Sequence, residues 1–259
     1  MAYDTSKVTK IKDIIKSEVE TNFVSTLGQE PDIVNIVSAL VLRESSFNPS
    51  ATSRAPNPAG RGTAGGSYIN SSAVQSVISQ GDSVKNANII QGLFAVGLMQ
   101  VLGMYFVRGG SPTGVGELER LRPDLAADMM VDPGESIFDG VLGPDNQVTA
   151  IRAGLIILEG KYRATKFSGS GYSIKGDPLN RKFPSQIAGA VAGYLGLGRA
   201  DLNGTTPEAY SAQIVGGSFY AAANSGTLKV KGSTTTVASS NGPTTNSTGQ
   251  KPLGIAGCG

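Results

Sequence analysis

Apolar residues recur at helical spacing from the start of the chain. Val8, Ile11, Ile15, Val19 and Phe23 follow one another every three or four positions with Lys and Glu between them, so residues 7–24 read as an amphipathic helix, stopped by Gly28. Pro31 suits the first turn of a second helix. There Ile33, Val37 and Leu40 share one face, flanked by Ile36 and Val41, and Glu44 falls on that same face eleven residues after Ile33. The helix must then end, because Asn48 precedes Pro49 and the residue before a proline is pushed out of the α region. An acid therefore stands at the apolar end of a helix that breaks beside it.

Residues 51–72 are rich in Gly, Pro, Ser and Ala and read as a long loop. The loop contains Gly60-Arg61-Gly62-Thr63-Ala64-Gly65, which has the form G-x-G-x-x-G, but Pro56 and Pro58 occupy the place where a dinucleotide site needs a strand. A flexible insertion is the better reading. Residues 92–106 are apolar, with three glycines and the single amide Gln100, and predict a buried turn running into a short helix. Residues 109–145 look irregular. Asp145 or Asn146 then caps a helix carrying Val148, Ile151, Leu155, Leu158 and Tyr162. A glycine-interrupted apolar helix follows from Ser185, and Pro207 opens a last one. From Thr227 onward the composition is that of a disordered tail, expected to pack against neighbouring chains. The pattern predicts a mainly α fold with few strands and one main domain.

The 259 residues are 39% hydrophobic, enough for one sizeable core. A net charge of +2, with no Lys/Arg cluster, argues against nucleic acid as a partner. There is no histidine, and the one cysteine is Cys258, so His/Cys metal sites, Ser-His-Asp triads and Cys-His dyads are all excluded. No metal or cofactor is expected. The N-terminus lacks the apolar core of a secretory signal, and no stretch approaches the ~18 apolar residues that span a bilayer, so synthesis in the cytoplasm without membrane insertion is expected.

Chemistry must then come from carboxylates, hydroxyls, amides, Lys or Arg. Withdrawal of Glu44 from water would favour its neutral form and raise its pKa, which a general acid for glycosidic cleavage requires. The alternative is that Glu44 points to solvent at a frayed helix end. A resemblance bears on the choice. Glu44, Ser45, Phe47, Asn48 and Pro49, followed by Gly97, Leu98, Met99, Gln100 and Val101, resemble the two blocks E-S-x-F-N-P and G-L-M-Q of the soluble-type (SLT) lytic transglycosylases of the lysozyme-like superfamily. Residues 145–158, with the pair Ala153-Gly154, resemble that family's next helix. Tyr194 matches the tyrosine of its A-Y-N-A-G block, and Tyr210 the second tyrosine of its E-T-x-x-Y-V segment. The similarity spans about residues 30–222. Two features depart from the family: 53 positions separate Glu44 from Gly97, and Leu195 stands where the family has asparagine.

The resemblance implies a goose-type/SLT lysozyme-like domain over residues 29–226, with residues 51–91 inserted, an N-terminal helix over 1–28 and an extended tail over 227–259. It implies cleavage of the β-1,4 bond between N-acetylmuramic acid and N-acetylglucosamine. Glu44 would protonate the leaving oxygen and then, as base, take the proton from the sugar's own O6, closing a 1,6-anhydro ring. No second carboxylate is then needed. Ser45, Gly97, Met99, Gln100, Tyr194 and Tyr210 are the implied sugar contacts. Read from the residues alone, Gln100 could instead hold a tight turn, Met99 fill the core, Ser45 bond its own helix and the tyrosines pack as core; Phe47 reads as core. Asp124, Asp132, Glu135 and Asp139 are acids whose role the spacing leaves open. An enzyme of this kind made without a signal peptide suits a bacteriophage tail or baseplate, with glycan strands and other tail proteins as partners. The competing readings are an endolysin or a secretion accessory enzyme, a lysozyme-type hydrolase, and an inactive structural subunit on the same fold.

Overall fold

The computed structural model describes residues 5–53, 95–108, 116–132, 135–197 and 204–225, and over these the protein is mainly helical, with five short strands. The first apolar stripe forms α1, Thr5–Asn22. Its end is set before Gly28: the chain turns through one 3-10 turn, Leu27–Gln29, where the Gly28 N–H donates to the Phe23 carbonyl at 2.9 Å. Helix α2 is Ile33–Ser45, so Pro31 lies just outside it. Every residue of α2 from Ile36 onward is buried, because α1 and two C-terminal helices surround it. A mainly apolar helix is thus the central one, with even its polar Ser38, Arg43, Glu44 and Ser45 buried.

Beyond α2, strand β1 (Thr52–Ser53) pairs antiparallel with β2 (Ala95–Val96), which pairs with β3 (Val101–Leu102). Residues 52 and 53 were expected in a loop. Pairing with a partner more than forty positions away leaves no trace in local composition, which is why the strand is not legible there. A 3-10 turn, Gly103–Phe106, supplies the expected short helix. The segment expected to be irregular contains three short helices, α3 (Glu117–Leu121), α4 (Pro123–Ala126) and α5 (Ile137–Val141), each too short to show a period.

Helix α6, Gln147–Ala164, follows Asn146, whose side chain makes no cap bond. Its amide donates instead to the Leu142 and Asp139 carbonyls at 2.7 and 3.1 Å, closing the preceding turn. On α6, Ile151, Leu155 and Leu158 are fully buried, whereas Val148 is 42% exposed. A hairpin absent from the sequence reading comes next, β4 (Thr165–Ser168) with β5 (Gly171–Ile174). Helix α7 is Gln186–Leu195, capped by Ser185, whose hydroxyl accepts from the Ala188 N–H at 3.2 Å. The expected last helix is two, α8 (Pro207–Ile214) and α9 (Ser218–Asn224). They divide at Gly216, whose φ is +84°, and Gly217, where a Cβ would stand 2.2 Å from the Ala212 carbonyl oxygen.

Side chains of α1, α2, α6, α7, α8 and α9 meet in one apolar core, with a smaller cluster of Ile174, Phe183, Ala188, Ala192 and Leu197 under the hairpin. The N-terminal helix is part of that core: Val8, Ile11, Ile15, Val19 and Phe23 are all buried in it, each contributing roughly 1.5–3 kcal/mol before chain entropy is subtracted. Polar ties reinforce it. Arg152 grips Glu18 through two bonds of 2.8 and 2.7 Å, and the buried Glu159 accepts from Thr26, Arg122 and Arg163 at 2.5, 2.9 and 3.0 Å. Among the described residues no helix is long and apolar enough to cross a membrane. The G-x-G-x-x-G stretch, most of the insertion, Cys258 and the tail lie outside the described residues.

Candidate active site around Glu44

The last turn of α2 carries the acid, and its exit is tightly shaped. Ser46 and Phe47 both adopt left-handed backbone, φ +55° and +58°, a conformation that costs a residue with a side chain roughly 1–2 kcal/mol. Burial of Phe47 and local hydrogen bonds offset this: the Ser46 N–H donates to the Leu42 carbonyl, the Asn48 N–H to the Ser45 carbonyl, and the Ser50 N–H to Asn48 Oδ1, all at 3.0 Å. The chain can then turn directly into β1, leaving Glu44 at the junction.

Glu44 does not point to solvent. It is 1% exposed, and its Oε1 accepts a short hydrogen bond from the Tyr210 hydroxyl. Tyr210 comes from α8, which packs on both α2 and α7. Burial first, and then the charge and hydrogen bond of Glu44, push the Tyr210 hydroxyl far above the usual tyrosine range, against a lowering by Arg43. Tyr194 on α7, also fully buried, is pushed the same way by burial and by Glu44, but its hydroxyl donates to the Met99 carbonyl at 2.8 Å.

Met99 belongs to the turn Gly97–Gln100, which β2 and β3 hold. The Ala51 carbonyl, seven residues beyond Glu44, accepts from the Gly97 N–H at 2.9 Å and from Gln100 Nε2 at 3.1 Å, while Gln100 Nε2 also donates to the Gly97 carbonyl at 2.8 Å. The two sequence blocks, 53 positions apart, are thus joined by backbone pairing and one amide. Gly97 has φ +73°, and a Cβ on it would meet Ala150 Cβ at 3.0 Å, so this position requires glycine twice over. Gln100 itself is left-handed at φ +52°. Met99 is fully buried against α6 at Gly154.

The implied contact residues therefore have these places. Glu44 and Tyr210 touch. Tyr194 reaches Glu44 only electrostatically and bonds the turn through Met99. The Gln100 amide ties Ala51 to Gly97, and Met99 fills space against Gly154. The Ser45 hydroxyl donates to the Val41 carbonyl of its own helix at 3.0 Å rather than to Glu44. Leu195, at the departing position, is buried. Of the other acids, Asp124 and Asp132 lie exposed in ion pairs with Arg122 (2.7 Å) and Arg108 (3.3 Å). Glu135 accepts from the Asp132 N–H at 2.9 Å, and Asp139 is exposed.

One group was missed. Arg43 is 2% exposed, with its guanidinium carbon 5.5 Å from the Tyr210 ring centre and 5.1 Å from that of Phe219 on α9. The available signal was that Arg43 is the only basic residue of a mainly apolar helix and directly precedes the acid. Among the described residues no cluster of three or more His, Cys, Asp or Glu could hold a metal ion. The arrangement offers one buried carboxyl with a hydroxyl donor on one oxygen, a cation within reach of that donor's ring, and a glycine turn bonded to the second tyrosine: the parts of a single-acid proton-transfer site. No protein-family model, curated protein or solved structure matches the chain significantly, so this geometry and the two sequence blocks stand by themselves.

Proposed function

We propose that this protein is a lysozyme-like peptidoglycan lytic transglycosylase, with Glu44 as its sole acid/base, acting as a tail or baseplate component of a virion that opens the host cell wall during infection. The observation that carries the reading is the burial of Glu44 at the end of α2 with the Tyr210 hydroxyl on its Oε1. A carboxyl withdrawn from water holds a proton for the departing glycosidic oxygen. Tyr210 fixes the carboxyl through the oxygen it engages, Oε1. Once the carboxylate has formed, the same hydroxyl stabilises it until the proton of the muramic O6 returns. Because O6 is the nucleophile, no second carboxylate has to position water, consistent with the four other candidate acids lying on the surface. The Gly97–Gln100 turn is tied to Tyr194 and Ala51, and substrate grip would come from hydrogen bonds, since the chain has no tryptophan.

A second reading is a structural subunit that keeps the fold without turnover. The same 1% exposure of Glu44 and the apolar Leu195 favour it. Digestion of purified peptidoglycan by wild type and Glu44→Gln, with mass analysis of released muropeptides, decides among the readings. Anhydro products that vanish in the variant support the transglycosylase. Reducing ends point to a hydrolase with a second carboxylate. No products, under conditions where a control enzyme works, leave the structural subunit.

A further inference from the structure

Arg43 is the group the reaction scheme does not use. A guanidinium at 2% exposure is costly to hold unless it has a defined task or setting, and here the rings of Tyr210 and Phe219 both lie within cation-π range of it. Adjacent residues on a helix point about 100° apart, so Arg43 and Glu44 leave α2 in different directions. Both nevertheless converge on Tyr210, the acid at its hydroxyl and the cation at its ring face. Arginine stacks on aromatic faces as a plane, which constrains the ring's tilt as well as its position.

We infer that Arg43 is a positioning residue for the acid: it clamps the Tyr210 ring so that the hydroxyl stays on Glu44, and its positive charge favours the carboxylate that forms after proton donation. This rests on the reading of Glu44 as acid/base. Phe219 is the other jaw of the clamp, which gives α9 a purpose the sequence blocks do not include. The groups that sense Glu44 from the elements around it are Tyr194 on α7 and Tyr210 on α8, both protonated through the neutral range. On α1, the Lys12 ammonium donates to Asn224 of α9 at 2.7 Å, and near the start of α2 Asp32 accepts from Tyr220 of α9. Arg43 places a cation 5.5 Å from the centre of the ring that bonds the acid, within cation-π range.

The test compares Arg43→Met, Arg43→Lys and Phe219→Leu with wild type in peptidoglycan digestion across pH, reading kcat and KM separately. Loss of the cation should lower kcat at least about tenfold while KM changes less than about twofold, as expected of a group acting on the chemical step. Without a positive charge the neutral carboxyl is favoured, so the alkaline limb of the profile should move up by about one pH unit in Arg43→Met. Arg43→Lys keeps the charge but not the plane, and should hold the limb near its wild-type position while losing part of kcat. Phe219→Leu should lower kcat without moving the limb. If the variants fold and show unchanged kcat and limb, or if Met and Lys behave identically, the inference is overturned. If wild type itself releases no products, the carboxyl carbon of Glu44 is titrated by carbon-13 NMR, assigned by its absence in Glu44→Gln. A midpoint higher in Arg43→Met keeps the coupling and removes only the enzymatic reading; an unmoved midpoint removes the coupling. Should Arg43→Met not fold, the comparison rests on Arg43→Lys and Phe219→Leu, where an unchanged kcat in both counts against the clamp.

Discussion

Replacing Gly154 by alanine tests how the α6 helix sets the Gly97–Gln100 turn. A Cβ at this position would stand 2.3 Å from Met99 Sδ, 2.5 Å from Met99 Cβ and 2.8 Å from Met99 Cε. Relaxed contacts between such atoms lie near 3.5–4.0 Å. The thioether end is soft and can swing aside, but Met99 Cβ is fixed to the backbone, so the turn itself must retreat by about 1 Å. Overpacking of this sort costs about 1–3 kcal/mol, and contact with a backbone-fixed atom places it near the upper end. Alanine gains about 1 kcal/mol over glycine in a helix interior, leaving a net loss of about 2 kcal/mol. Gly160 is the control on the same helix: the nearest atoms its Cβ would meet are the methyl and branch carbons of the half-buried Leu121, the first at 3.0 Å. That side chain can turn away, so Gly160→Ala should be neutral or stabilise by up to about 1 kcal/mol. Urea unfolding reads both, as midpoints at unchanged slope. If the proposed function holds, Gly154→Ala should also lower muropeptide release more than Gly160→Ala, because the Met99 carbonyl accepts from Tyr194 and the turn carries Gln100. Equal stability of the two variants, or Gly154→Ala as stable as wild type, would refute the packing argument.

Tyr210→Phe leaves Glu44 Oε1 buried without its hydroxyl donor, so unfolding should show a loss of about 1–3 kcal/mol. Gln100→Ala removes two buried hydrogen bonds, from the side-chain amide to the Ala51 and Gly97 carbonyls, and should cost about 1–3 kcal/mol by the same measurement. In native protein, absorbance titration around pH 10 should be the same for wild type and Tyr194→Phe, because the Tyr194 hydroxyl is held far above that range by burial; a missing transition in the variant would contradict this. Burial pushes the Glu159 carboxyl up, but bonds from Thr26, Arg122 and Arg163 together hold it below its ordinary value. Its stabilisation is therefore present above the unfolded value of ~4.3 and lost as pH falls through the folded one, so Arg122→Ala should begin acid unfolding at higher pH than wild type.

Periodicity and short motifs determined much of this molecule. The helices α1, α2 and α6 are legible because apolar residues recur at 3.6-residue spacing over several turns, and that signal needs no knowledge of what the face packs against. Position within α2 also made Glu44 a candidate, and the glycine-rich stretch around Gln100 read as a buried turn. What the tertiary structure decided is which of these meet. The β1–β2 pairing that joins the two blocks depends on backbone hydrogen bonds between distant segments, invisible in side-chain pattern. The same holds for the four- and five-residue helices between 117 and 141 and for the β4–β5 hairpin, too short to show a period. The Tyr210 hydroxyl on Glu44 and the Arg43 guanidinium between Tyr210 and Phe219 arise because α8 and α9 fold back on α2 from more than 160 positions away. A local pattern can set an acid on an apolar face. Only the long-range packing of α8 and α9 can choose the hydroxyl and the cation that attend it, because those contacts depend on the geometry of the closed core rather than on spacing along the chain.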